Sequence, residues 1–242
     1  MTVSVLASGQ IGSDGTGSPI SGSIDPGASP KFVMIFVVEN GNLGGTEVTS
    51  ATYGGVSGSV IFGGYDGDIG QVNCWYIGTS GSIPTGSQTV SVSFSGASGA
   101  TRRVYCVVFG TDSGSLEYYD NGNNGGNTSN PTDSKNPSVG EFVSGGACLF
   151  YGGAATAVSV ANGAQLVESD FSGGTRCGSL IWANATVENA TITMGWTAVS
   201  ADVAASYIYI QEIAAPLTVM DVTDPASVMG VSGYASVMGV EP

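Results

Sequence analysis

Apolar and polar positions along this chain repeat with a period of two. The stretch Val90-Ser91-Val92-Ser93-Phe94 puts apolar side chains on one face and hydroxyls on the other. Thr191-Ile192-Thr193-Met194-Gly195-Trp196 follows the same grammar, which predicts Trp196 beside Ile192 and Met194 on a buried face. Phe32–Val38 and Val104–Phe109 are apolar on both faces, as expected of strands in the middle of a sandwich. No segment offers the i, i+3, i+4, i+7 spacing of an amphipathic helix over a useful length. Short β-branched and aromatic runs, about a dozen of them, alternate instead with Gly, Ser, Asn and Pro clusters. The pattern predicts an all-β fold of two packed antiparallel sheets.

Punctuation refines the picture. Gly54-Gly55 is expected to supply positive φ for a tight connection, and Pro84 with Gly86 to fix a turn before the strand at Thr89. Two stretches read as irregular. Gly9–Pro30 is expected to be a surface loop or clasping arm after a first strand near Thr2–Ala7. Residues 121–137 are polar, glycine-rich and aromatic-free, and are expected to form a long exposed or functional loop.

The most specific signal comes last. From Pro216 the chain reads PLTVMDVTD, PASVMGVSG and YASVMGVEP, three consecutive nonapeptides. Val219, Val228 and Val237 recur nine apart, as do Met220, Met229 and Met238, and Val222, Val231 and Val240. A single V-M-x-V segment is too short to bury its own side chains and needs a sheet edge, a groove or a copy of itself. Methionine adapts to imperfect pockets, and three weak units on one chain act together by effective concentration. These nine residues are the candidate partner-binding positions. The chain divides on this reading into a β-sandwich domain, 1–215, and a C-terminal arm, 216–242.

Composition narrows the function. Glycine supplies 39 of 242 residues with no G-X-Y period, which excludes collagen. With 42% hydrophobic residues the chain has ample surface to bury and is not a disordered polymer. Five basic residues face nineteen acidic ones, for a net charge of −14. Phosphate backbones bind through clustered Lys and Arg, and the one basic pair here is Arg102-Arg103, so neither nucleic acid nor an anionic membrane is an expected partner. The chain has no histidine, which removes Ser-His-Asp and Cys-His catalysis and most transition-metal sites. Met1–Leu6 lacks the basic and apolar regions of a signal peptide, and the longest apolar run, seven residues at Phe32–Val38, falls far below a membrane span. Synthesis in a host cytoplasm is therefore expected.

Candidate chemistry is sparse. Cys74, Cys106, Cys148 and Cys177 are widely spaced within apolar runs and read as buried thiols, with two disulfides as the alternative. Asp66 and Asp68 stand in a glycine-rich loop but lack the further ligands of a calcium loop. Glu39, Glu117, Glu141 and Glu168 lie at or near strand ends, and nothing in the sequence pairs two of them as a hydrolase would require. Trp75, Tyr76, Tyr105, Tyr118 and Tyr119 could make a sugar-stacking platform, although such residues in strands more often pack the core. No catalytic residue, metal or cofactor is expected. The sequons at Asn127, Asn184 and Asn189 read as accidents of a Thr- and Ser-rich chain.

Three stretches together resemble a Gly/Thr-rich, jelly-roll-like β-sandwich family of tailed-bacteriophage structural proteins and bacterial surface proteins. They are Ala51-Thr52-Tyr53-Gly54-Gly55-Val56; Cys74–Ile77 leading through Ile83-Pro84-Thr85-Gly86 into Thr89–Gly96; and Ile192–Thr197 before a closing strand. The resemblance covers about residues 2–215 and brings no catalytic motif; the repeated arm lies outside it. It implies a virion structural protein. With the acidic surface and the arm, the expectation is a capsid decoration or cement protein on the outer surface of a bacteriophage shell. Its partners would be copies of itself, with a trimer as the working hypothesis, and the major capsid protein. The alternative is a tail-fibre or surface module that binds host glycan.

Overall fold

The computed structural model describes residues 3–14, 17–40, 48–61, 65–66, 70–78, 82–95, 101–112, 114–127, 132–135, 142–151, 155–160, 165–170, 176–185, 192–198 and 202–213. These form strands and connections, with no helix among the described residues. The first half holds β1 (Val3–Asp14), β2 (Ile20–Ile24), β3 (Pro30–Asn40), β4 (Val48–Tyr53), β5 (Val56–Ser57), β6 (Ser59–Ile61), β7 (Tyr65–Asp66), β8 (Gly70–Gly78), β9 (Gln88–Phe94) and β10 (Thr101–Thr111). The second half holds β11 (Ser115–Asn127), β12 (Thr132–Lys135), β13 (Phe142–Tyr151), β14 (Ala155–Val160), β15 (Gln165–Asp170), β16 (Arg176–Ala185), β17 (Ile192–Ala198) and β18 (Asp202–Ile213). All pairings are antiparallel.

The all-β, antiparallel expectation holds, but the strands divide among four sheets where two were expected. Sheet I runs β1-β10-β3-β8-β6, with β7 also on β8, and sheet II runs β2-β9-β4-β5. Sheet III runs β11-β18-β13-β16-β15, and sheet IV runs β12-β17-β14. The two halves trace one path. Advancing β1-β10-β3-β8 to the matching strands of the second half gives β11-β18-β13-β16, and β2-β9-β4 gives β12-β17-β14.

Burial explains the extra layers. On β3, Phe32, Met34, Phe36 and Val38 face sheet III, joining Leu116, Ala204, Ile208 and Ile210 in one cluster that draws on both halves. The intervening Val33, Ile35 and Val37 face sheet II and meet Tyr53, Val90, Val92 and Phe94. A sheet covered on both faces needs strands that are apolar at every position, and the buried runs Phe32–Val38 and Val104–Phe109 meet that demand. Sheet III is likewise covered on its second side. There Lys135 of β12 brings its ammonium to 5.9 Å from the Tyr209 ring centre. The layers therefore stack in the order II, I, III, IV.

The alternation read at Val90–Phe94 is observed, with Val90, Val92 and Phe94 buried and Ser91 and Ser93 half-buried. Gly54 and Gly55 adopt φ of 55° and 81° in the hairpin between β4 and β5, as expected. Two expectations are corrected. Most of Gly9–Pro30 is strand, because β1 continues to Asp14 along β10 and β2 pairs with β9. Residues 121–137 include the end of β11, paired with β18, and all of β12, paired with β17. All four strands are sheet edges. An edge strand needs only one backbone ladder and tolerates polar residues, glycines and bulges; register shifts occur in β1 after Val5 and Gln10, and in β11 after Tyr118.

Two side-chain bonds tie the halves together across sheets I and III. The Cys74 thiol donates to Ser206 Oγ at 2.8 Å, and the Thr111 hydroxyl donates to the buried Glu212 carboxylate. Beside them Phe32, Tyr76 and Tyr118 form a stack, with successive ring centroids 5.6 and 5.1 Å apart. Gly145 lets the sheets approach, since a Cβ there would stand 2.6 Å from Met34 Sδ.

Candidate functional site

The nine arm positions, Val219 to Val240, lie outside the described residues. Within the body, the fold separates the residues that could have carried chemistry. Glu39 is wholly buried on β3, while Glu117 on β11 accepts from the Gln211 amide across the strand pair. Glu168 belongs to β15, at the far edge of sheet III from β11, and Glu141 is outside the described residues. Glu39 and Glu117, the two whose side chains are described, make their contacts with different partners and not with each other. Asp66 pairs through its backbone with Gly70, Asp68 is outside the described residues, and no group of three metal-ligating side chains occurs among the described residues.

The aromatic platform does not form. Trp75 and Tyr76 are neighbours on one strand, so they point to opposite faces of sheet I: Trp75 packs against sheet II, and Tyr76 against Tyr118. Tyr105 is fully buried. Cys74, Cys106 and Cys148 are buried thiols, as read from their apolar neighbours. Burial pushes the Cys74 and Cys106 thiols far up from their ordinary range, which leaves them protonated and unreactive.

A buried polar row was not visible in the sequence. Arg102, Glu39 and Gln71 stand opposite one another on β10, β3 and β8. The Arg102 Nε donates to Glu39 Oε1 at 2.7 Å with both side chains fully buried, and the Gln71 amide donates to Glu39 Oε2. The guanidinium lies 3.9 Å above the Phe94 ring centre, and its Nη1 and Nη2 have no partner. The Arg102-Arg103 pair is therefore no basic patch, because strand alternation sends the first of the two inward. On the outer layers, Lys135 pairs with Asp120 at 2.8 Å and holds that carboxyl below its usual range.

An open feature among the described residues is a cleft of about 300 Å³ where the first half hands over to the second. Three segments line it: Ser29, Pro30 and Lys31 at the start of β3; Ser82, Ile83 and Thr85 before β9; and Ser115 and Leu116 at the start of β11. The first two are pinned together by the Gly86 amide donating to the Gly27 carbonyl at 2.7 Å. The Gly27 amide in turn donates to Asp25 Oδ1 at 2.9 Å, and the Gln88 amide donates to the Thr85 carbonyl. Ser29 adopts a φ of 65°, a left-handed conformation that few non-glycine residues take. In the sequence, the trace of this site is Lys31 alone, the one basic residue in the first hundred. Comparison with family models, with curated proteins and with solved structures gives no match.

Proposed function

We propose that this chain is a virion structural protein, a decoration or cement protein of a bacteriophage capsid whose C-terminal arm, 216–242, fastens it to neighbouring subunits. The carrying observation is the threefold V-M-x-V nonapeptide. Each unit, if extended, reaches about 30 Å at the rise of a β-strand and presents apolar side chains that need a partner surface. Three such units in series bind as one through effective concentration. The partners are other copies of the chain and the major shell protein.

The body suits a structural part. In the first half, β1-β10-β3-β8 and β2-β9-β4-β5 follow the strand order of a jelly roll, and the second half repeats most of it. Two jelly-roll-like sandwiches sharing a core give a thick, rigid block, and a net charge of −14 keeps a densely covered surface soluble. No catalytic role is assigned.

The test compares the full chain with one ending at Ala215. Light scattering after size exclusion is expected to show an oligomer for the first and a monomer for the second, and capsids are expected to lose occupancy with the shortened form. Unchanged decoration by the shortened form would overturn the role of the arm.

A further inference from the structure

The cleft between the halves has features that the arm does not explain. The first is charge. Among the described residues Arg102 is paired with Glu39, Lys135 with Asp120, and Arg103 Nη1 donates to the Arg102 carbonyl. Lys31 makes no such contact, in a chain with nineteen acidic residues to choose from. It is exposed, and it is the one charged side chain among the described residues that line the cleft. Asp25 and Asp112, in the adjoining segments, do not line it.

The second is the way the cradle is built. Strained, over-determined backbone is kept where surrounding contacts hold it and tends to cluster at ligand sites. Here Ser29 holds a φ of 65° beside the bond between Gly86 and Gly27, with Gly27 at 71° and Gly86 at 70°. Two loops locked at three left-handed residues give the rim a fixed shape before anything binds, which lowers the ordering cost of binding.

The third is the lining. Pro30, Ile83 and Leu116 supply an apolar floor; Ile83 and Leu116 are buried, each in a different core cluster. Ser29, Ser82, Thr85 and Ser115 supply four hydroxyls that both donate and accept. No aromatic ring is among these residues, so the cleft offers no stacking face for a flat ligand. Its volume suits a ligand the size of one sugar ring. An apolar floor, a rim of hydroxyls and a single ammonium complement a ring with C–H bonds on one face, hydroxyls at its edge and one carboxylate.

We infer that this cleft is a binding site for a six-carbon sugar acid, with Lys31 receiving the carboxylate and the Ser and Thr hydroxyls receiving the ring hydroxyls. The site is independent of the arm, and the loss of either reading leaves the other standing.

A ligand-observed NMR titration of the full chain tests it, with D-glucuronate, D-galacturonate, D-glucose, acetate and inorganic phosphate as probes. At least one uronate is expected to saturate, and to bind about tenfold or more tighter than glucose, acetate or phosphate, since a charge-assisted hydrogen bond and a set of neutral ones must act together. Lys31→Met is expected to weaken uronate binding about tenfold, while Lys31→Arg stays within a few-fold of the parent. Ser82→Trp fills the exposed rim and is expected to abolish binding. Absence of saturable uronate binding would overturn the inference. So would equal binding by Lys31→Met or Ser82→Trp, or acetate or phosphate binding as tightly as the uronates.

Discussion

Arg102→Met isolates the buried ion pair. The substitution keeps an unbranched side chain against Phe94 but removes the charge that neutralises Glu39, leaving a fully buried carboxylate with only the Gln71 amide. Removing one partner of such a pair costs about 3–5 kcal/mol. The cation–π contact is lost as well, worth up to about 2 kcal/mol in a dry site, offset in part by a thioether–ring contact of about 1 kcal/mol. The net expectation is a loss near 4 kcal/mol, or on the order of 10 °C in melting temperature for a chain of this size. The double variant Glu39→Met, Arg102→Met behaves differently. It removes both charges, and with them the two guanidinium nitrogens that find no partner in the native protein. Replacing a whole buried pair by apolar groups is near neutral or stabilising by about 1–4 kcal/mol, so the double variant is expected to equal or exceed the parent. Urea unfolding followed by tryptophan fluorescence and by circular dichroism provides the measurement. Coincidence of the two signals would show the halves unfolding together, as their shared core demands. A loss under about 1 kcal/mol for Arg102→Met would refute the buried pair. A double variant as unstable as the sum of the single ones would show that Arg102 acts through packing instead.

Lys135→Met should cost less than about 1 kcal/mol in the same assay, because the pair with Asp120 is partly exposed and screened by water; a loss as large as that of Arg102→Met would mean that sheet IV shields the pair fully. Gly22→Ala places a Cβ 2.3 Å from the Ile11 carbonyl oxygen, a backbone atom that cannot step aside, and is expected to cost about 1–3 kcal/mol. Gly9→Ala meets nothing within 4 Å and should stabilise by about 0.5–1 kcal/mol; the reverse order in urea midpoints would contradict the packing of β1 on β2. Burial raises the Tyr53 phenol from 10.0 to about 12 and pushes Tyr207 and Tyr209 further up. A raised folded pKa makes this contribution whole below the unfolded value and lost as pH climbs through the folded one, so stability should fall from about pH 10 upward by about 1.4 kcal/mol per unit for each such phenol. Phenolate absorbance should then show fewer than ten tyrosines ionising before the fold is lost; all ten titrating near pH 10 in a folded chain would refute it.

What the sequence revealed follows from what each strand must do. Interior strands carry their environment in their side chains. Phe32–Val38 and Val104–Phe109 are apolar at every position because two sheets cover them, and Val90–Phe94 alternates because only one does. Edge strands carry theirs in the backbone, so the glycines and serines of β1 and the asparagines of β11 read as loop. Arg102 illustrates the same blindness at a single residue. Its partner stands 63 positions away, and only the register of β3 on β10 brings them face to face. The cleft was hidden for a like reason, since its residues come from three segments joined by topology.

The doubled run of apolar positions also bears on how such a body can serve an assembly. A two-layer sandwich exposes the outer face of each sheet, and any partner must be recognised there. In the present chain sheet I spends both faces on internal contacts, through Phe32, Met34 and Phe36 on one side and Val33, Ile35 and Val37 on the other. Among the described residues the exposed large apolar side chains are Val60, Tyr119 and Ile213, on β6, β11 and β18. Such scattered residues do not make the contiguous apolar patch that marks a docking surface. Under the proposed function, a body whose described apolar faces are spent on internal contacts would attach to others by some other part. The repeated Val and Met positions after Ile213 supply nine further apolar side chains, which is the physical reason to look for assembly contacts in the arm and for small-ligand contacts in the cleft.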